Sequence, residues 1–292
     1  MSSTIEAFLK PHQHDIGNLI VRRVLPSVAV RTVGPFIFFD HIGPATLMPG
    51  VGIDVRPHPH IGLATVTYLF EGAIMHRDSI GSVQKITAGD VNWMTAGRGI
   101  VHSERTPDEE RATGQKMHGI QTWVGLPAKD EEVAPSFEHH PAATLPQIER
   151  DGVKLRVIAG SAFGQSAPTV TFSPTLYVAA EFSADSAVTL DTEHEERGVY
   201  LLEGDLSVDG SVLPEGQMAV LKTGFPADLR STNGAIAMVL GGAPLDGHRF
   251  LEWNFVSSSR EKIEAAKLAW TEQRIGHVPG ETDFIPLPPP RS

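Results

Sequence analysis

Apolar residues in this chain come in short pulses separated by glycine, proline and polar turns. Gly17-Asn-Leu-Ile-Val-Arg-Arg-Val-Leu25, Thr65-Val-Thr-Tyr-Leu-Phe70, Gly119-Ile-Gln-Thr-Trp-Val-Gly125 and Val153-Lys-Leu-Arg-Val-Ile158 are of this kind. Several alternate with a period of two, the spacing of a strand with one buried face. The pattern predicts an all-β chain of sandwich or barrel type. Helical spacing shows clearly only near the end. There Ser258-Ser-Arg-Glu261 fits the capping box S-x-x-E, and Ile263, Ala266 and Trp270 then share one face. With Gly276 as the stop, a helix is expected near 259–275. The closing Phe284-Ile-Pro-Leu-Pro-Pro-Pro290 is expected to be extended, because consecutive prolines favour that conformation.

Aligning the turn glycines exposes an internal repeat. Thr67-Tyr-Leu-Phe-Glu-Gly72 matches Val199-Tyr-Leu-Leu-Glu-Gly204, and Ile86-Thr-Ala-Gly-Asp-Val91 matches Leu213-Pro-Glu-Gly-Gln-Met218. Two copies of one β-domain are therefore expected, residues 1–135 and 136–292, joined through the polar region around Ala134 to Arg150. The helix and tail fall within the second.

Composition narrows the function classes. At 292 residues and 41% hydrophobic content the chain can bury a substantial core. Net charge is −11 and no basic run stands out, which argues against direct nucleic-acid binding. Cysteine is absent, so disulfides, thiolate ligands, iron–sulfur clusters and cysteine nucleophiles are excluded. The N-terminus lacks the basic-then-apolar pattern of a signal peptide, and no apolar run is long enough to span a bilayer. A cytoplasmic protein without a membrane partner is expected. There is no Walker-type glycine loop, and no G-x-S-x-G precedes a helix. Gly97-Arg-Gly99 reads as a turn.

The candidate chemistry sits in Arg56-Pro-His-Pro-His60 and Gly99-Ile-Val-His-Ser-Glu104. Each offers two potential metal ligands at i and i+2, His58/His60 and His102/Glu104, which an extended strand aims to one face. Two neighbouring strands would bring three imidazoles and a carboxylate into one cavity. In the glycine alignment His58 and His60 fall opposite Leu190 and Thr192, and His102 and Glu104 opposite Leu229 and Ser231, so the second copy has no ligands. Without thiolates a closed structural zinc site is disfavoured. The set resembles, with one extra His, the facial triad of non-haem Fe(II) oxygen chemistry. Fe(II) is the expected metal, with Mn, Ni, Cu or Zn admissible in its place.

These residues resemble the cupin superfamily, whose first motif is G-x5-H-x-H-x3,4-E-x6-G. Gly52, His58, His60 and Gly72 fit it, while Ala64 and Thr65 stand at the two positions open to the glutamate. The second motif is met in part by Gly89, Ala96-Gly97 and His102, with Thr95 in its proline position. Pro-His-Pro-His, Leu-Phe-Glu-Gly, the block from Gly89 to Glu104, and Gly-Ile-Gln-Thr-Trp-Val-Gly-Leu-Pro are similar to pirins. That resemblance implies two tandem cupin barrels of jelly-roll type. It implies Fe held in the first by His58, His60, His102 and Glu104, and dioxygenase action on a small aromatic substrate, a flavonol such as quercetin, with O2. Glu104 would be the catalytic base. Regulation through a protein partner is the alternative role that the family implies.

Other residues round out the reading. His118 and Gln121 are either donors behind the metal ligands or ordinary strand residues. Met75, Trp93 and Trp123 are candidates for the cavity wall, with core packing preferred for the tryptophans. His76-Arg-Asp78 and Asp40-His41 read as turn ties. Asp108-Glu-Glu-Arg111 and Thr192-Glu-His-Glu-Glu-Arg197 read as solvated loops.

Overall fold

Each apolar pulse becomes a strand in the structure, a computed structural model that describes residues 4–15 and 19–289. The pulses correspond to Ile20–Leu25, Leu63–Glu71, Gln115–Gly125 and Val153–Ala162. Gly17 and Asn18, at the head of the first pulse, and Pro290 in the tail lie outside the described residues. Strands dominate throughout, and the fold is two cupin-type β-domains with a C-terminal helix. Among the described residues no helix is long and apolar enough to cross a membrane.

The described residues of His14–Val21, His41–His139 and Leu245–Ser292 form one compact unit, and those of Met1–Gln13, Arg22–Asp40 and His140–Pro244 the other. The units therefore do not follow the two halves of the sequence. The C-terminal helix and tail, expected with the second half, group with the histidine-bearing unit. The reason is visible in the packing. Ile263, Ala266 and Trp270, the apolar stripe of the Arg260–Thr271 helix, pack with Ile61, Val101, Phe255 and Val278 in one buried cluster. Ile61 and Val101 immediately neighbour His60 and His102 in sequence, so this cluster lies behind the ligand strands.

In the histidine-bearing unit one sheet has the order Asp54–His60, Ile100–Arg105, Ala73–Asp78, Val83–Thr87. A second runs Ser136–His140, Val91–Thr95, Leu63–Glu71, Gln115–Gly125 and continues onto Phe36–Leu47. The Gly97–Gly99 segment is a turn, as expected. Gly97 has φ 51°, and a Cβ there would fall 2.1 Å from the Val133 carbonyl oxygen, so only glycine fits.

The other unit repeats the smaller sheet as Ser186–Leu190, Ala227–Ser231, Leu206–Val208, Ser211–Leu213. Its interior is a continuous aliphatic core that includes Val188, Leu190 and Leu229. Strand pairing refines the repeat: Leu229 faces Val188 as His102 faces His58. Leu190, the glycine-aligned counterpart of His58, lies two residues further on. The offset arises because the strands that follow start at different distances, at Leu63 in one unit and Glu196 in the other.

Four local expectations need correcting. The helix is capped by Ser259 rather than Ser258: Ser259 Oγ accepts from the Lys262 amide, while Ser257 and Ser258 donate to the buried Glu131 carboxylate. The helix ends at Thr271 with Gln273 at φ 55°, so Gly276 is not its stop. The segment 192–197 is not a solvated loop throughout, because His194 and Arg197 are buried. The Arg197 guanidinium donates to the carbonyls of Asp191, Lys222 (2.9 Å) and Phe225 (2.8 Å), tying two loop segments together. Asp108–Thr113 is a short helix, and Glu110 within it pairs with Lys85.

Removing the cap oxygen leaves a helix amide without its partner. Ser259→Ala is expected to lower unfolding free energy by about 1 kcal/mol, measured by urea denaturation.

Candidate metal centre

Antiparallel pairing places the first ligand pair against the second. His102 on Ile100–Arg105 stands opposite His58 on Asp54–His60, and Ile100 stands opposite His60. Alternation then turns His58, His60 and His102 inward together. The register slips by one residue between His102 and Glu104, so that Glu104 faces Val55. The extra residue lies on Asp54–His60, between Val55 and His58, while Ile100–Arg105 keeps its regular alternation.

The three imidazoles converge. One ring nitrogen from each of His58, His60 and His102 lies within 4.8 Å of the others, and all three residues are buried. Nε2 of His60 and Nε2 of His102 are 3.1 Å apart. Two nitrogens bound to one ion at 2.0–2.1 Å would sit about 3 Å apart, so the spacing suits a shared cation. His58 Nδ1 donates to the Arg56 carbonyl at 2.9 Å, which leaves Nε2 as its free lone pair. The Trp123 ring meets His60 edge-on at 5.1 Å and walls one side of the site.

The electrostatics agree with a ligand role. Burial, then the neighbouring His58, holds His60 well below the usual imidazole range. His102 is likewise held well below it, by burial first and then by His58, His60 and His76. His58 is also lowered, mainly by burial, with the Arg56 carbonyl and the Glu104 charge acting in the opposite direction. Neutral imidazole is the form that binds metal. The donor set, three neutral nitrogens in a buried pocket, therefore fits a transition-metal ion.

Glu104 is buried beside this group but is not part of it. Gln121 Nε2 donates to both carboxylate oxygens, at 2.8 and 2.7 Å, and Thr67 Oγ1 donates to Oε1 at 3.2 Å. Gln121 is thus a donor to the site carboxylate, one of its two expected roles. His118 is elsewhere engaged: its Nε2 lies 2.8 Å from Nε2 of His41, and its ring packs on Phe70. Asp40 accepts both Arg23 donors at 2.8 Å, so it is an ion-pair partner rather than a turn tie. Trp93 is core, its Nε1 donating to Thr95 Oγ1, and Met75 is half-buried.

Three contributors to the site were not assigned to it from the sequence. His76 reaches His102, Nδ1 to Nδ1 at 3.4 Å, and also Asp78 Oδ2, at 3.0 Å from its Nε2. Phe137 stacks on His76 with ring centroids 4.3 Å apart. Thr67 supplies the third hydrogen bond to Glu104. The signal for His76 and Asp78 was their i, i+2 spacing within a strand, the same signal that marks the ligands.

Comparison with known proteins places this geometry. The family model for pirin matches residues 18–124, and that for the pirin C-terminal cupin domain matches residues 177–276. A pirin-like protein of Caulobacter vibrioides is 48% identical, over 97% of this chain and 99% of its own length. Among solved structures, a quercetin 2,3-dioxygenase from Acinetobacter baumannii superposes with TM-score 0.90 at 34% identity, covering 98% of this chain and 96% of that one. A second structure of that name from the same organism gives TM-score 0.88 at 28% identity, over 94% and 98%.

The lowered imidazoles fix the sign of a pH dependence. Below about 6.5 the unfolded chain takes up protons that folded His60 and His102 refuse, so folding is opposed as pH falls. Metal-free protein should lose urea stability from pH 7.5 to 5.5, and a His60→Leu/His102→Leu variant should lose less over the same window. Parallel profiles for the two proteins would contradict the assignment of those shifts.

Proposed function

The chain belongs to the pirin family, and on that footing we propose that it is an Fe(II)-dependent dioxygenase opening the heterocycle of a flavonol such as quercetin with O2 and release of carbon monoxide. The observation that carries the reading is the buried convergence of His58, His60 and His102 with a carboxylate fixed beside them. The Acinetobacter structures named as quercetin 2,3-dioxygenases lend support through their match over nearly the whole chain.

In this reading His58, His60 and His102 hold the metal, with Glu104 as the fourth candidate ligand. When bound, Fe(II) would supply Lewis acidity that lowers the pKa of an enol substrate, and redox chemistry toward O2. The remaining roles belong to the chain. Glu104 takes the proton of the substrate's 3-hydroxyl, acting from the position in which Gln121 and Thr67 hold it. Three donors on the carboxylate keep it oriented while it waits. The Trp123 ring and the surrounding strands exclude bulk water, which strengthens each charge interaction inside. Ala64, where other cupins keep a glutamate, leaves this side of the pocket less acidic.

Two measurements test the proposal. Protein purified without oxygen should carry about one equivalent of transition metal per chain, since the described residues present one converging histidine set, and His58→Ala/His102→Ala should carry none. Two equivalents, or unchanged content in the double variant, would defeat the site assignment. The second follows flavonol absorbance under O2. Wild-type protein loaded with Fe(II) should bleach it, and Glu104→Gln should slow the loss roughly 100- to 10,000-fold with its circular dichroism unchanged. Absence of turnover with Fe, Mn, Ni and Cu alike would defeat the enzyme reading while leaving the metal site standing.

A further inference from the structure

We propose that Asp78 and His76 form a hydrogen-bonded relay that sets the tautomer of His102, so that its Nε2 presents a lone pair to the metal site. The inference rests on the reading of His58, His60 and His102 as ligands.

The relay is built by strand register. Ala73–Asp78 pairs with the far edge of Ile100–Arg105, placing Asp78 opposite His102 and His76 opposite Glu104. Asp78 is fully buried and His76 almost so. Each Asp78 oxygen has a separate task. Oδ1 accepts the amides of Ile80 at 3.0 Å and Ser82 at 2.9 Å, closing the turn after the strand. Oδ2 faces His76 Nε2 at 3.0 Å. Burial works to raise the Asp78 pKa, but hydrogen bonds from His76 and Ser82 outweigh it and hold the carboxyl below its usual range. An ionised carboxylate has only acceptors, so the proton between it and His76 must sit on His76 Nε2.

The consequence propagates one ring further. A neutral His76 protonated at Nε2 has a lone pair at Nδ1. That lone pair faces His102 Nδ1 at 3.4 Å, so His102 must carry its proton at Nδ1. His102 Nε2 is then bare, and it is the atom that meets His60 Nε2 at 3.1 Å in the convergent group. The hydrogen bond made by one ring nitrogen thereby decides what the other can bind. Phe137, stacked on His76 at 4.3 Å and 16° between planes, prevents that ring from turning away. His58 achieves the same result more simply, through the Arg56 carbonyl. His76 and Asp78 are positioning residues, acting on the metal only through His102.

Asp78→Asn tests the relay with little change of shape. The Asn carbonyl can keep the two turn amides, which leaves its NH2 group facing His76 Nε2. That reverses every donor: His76 becomes protonated at Nδ1, and His102 is left with its proton at Nε2, blocking the site. In metal-free protein labelled with 15N-histidine, long-range 1H–15N spectra should show His102 protonated at Nδ1 in wild type and at Nε2 in Asp78→Asn. Co(II) affinity, read from its visible absorption, should fall roughly 10- to 100-fold in Asp78→Asn. A similar fall is expected in His76→Phe, which keeps the stack on Phe137 but has no ring nitrogen. If wild type fails to bind Co(II), the metal-site reading itself fails. If wild type binds and both variants bind within twofold of it, the relay is wrong and the site stands. If Asp78→Asn does not fold, the wild-type spectrum still decides, because a wild-type His102 protonated at Nε2 overturns the proposal.

Discussion

The arrangement depends on one cross-strand pair, His102 against His58. Each brings an i+2 or neighbouring-strand partner into the same enclosure, and burial there strips the imidazoles of water. Desolvation is the leading cause of lowered basicity at all three rings. The same burial that makes the rings good neutral ligands makes every unsatisfied ring nitrogen costly. The surrounding structure can be understood as the answer to that cost. His58 is tied to a backbone carbonyl and His102 to His76. At His60 the Asn254 backbone hydrogen-bonds the ring and acts against the effect of burial.

The ligand-free unit shows what the same strands do when no such demand exists. Val188 faces Leu229 where His58 faces His102, and the residues around them are aliphatic. Nothing there needs a partner for a buried nitrogen, and no Asp-His pair stands on the adjacent strand, where Leu206–Val208 runs instead. One strand framework thus supports either a dry core or a polar site. The difference lies in a few inward positions and in the polar groups recruited behind them, which is why the turns can be shared while the chemistry is not.

Much of this was legible in the sequence because it follows a period of two. Alternation revealed the strands, repeated turn glycines revealed the duplication, and the paired i, i+2 residues revealed His58, His60 and His102. Glu104 was read by the same rule and its own strand keeps that alternation, but strand periodicity carries no mark of the bulge in the partner strand Asp54–His60 or of Gln121 and Thr67, which hold the carboxylate. His76 and Asp78 had the ligand spacing but were read as a turn tie. That was half correct, since Asp78 Oδ1 does close the turn while Oδ2 serves His76. A side chain with two acceptors can hold a structural role and a site role at once, and sequence spacing cannot separate them. Arg197 and His194 were taken for loop residues because a run of charges resembles a solvated face. Two of the carbonyls that hold Arg197, those of Lys222 and Phe225, come from a loop distant in sequence.

Alternation also accounts for the part played by the C-terminal segment, which belongs to the histidine-bearing unit. If His58, His102 and Glu104 point inward, the residues between and beside them must point out. Those outward positions are where the tail attaches. The Ile285 amide donates to the Pro57 carbonyl at 2.8 Å, next to His58, and Ile285 in turn accepts the Trp270 indole N–H at 3.0 Å. Ser103, between His102 and Glu104, donates to Glu281, and Arg105 reaches Glu281 and Asp283. Both ligand strands are therefore gripped from behind by one stretch of chain that is itself anchored through the Trp270 face of the helix. A strand pair held only by its ladder can twist and slide, moving inward side chains with it. Fixing the outward residues removes that freedom without placing any group in the cavity. The prolines of the tail suit this use, since they reduce the entropy lost when an extended segment is ordered. The orientation of the three imidazoles is in this way set by contacts on the face of the sheet opposite to the one where they act.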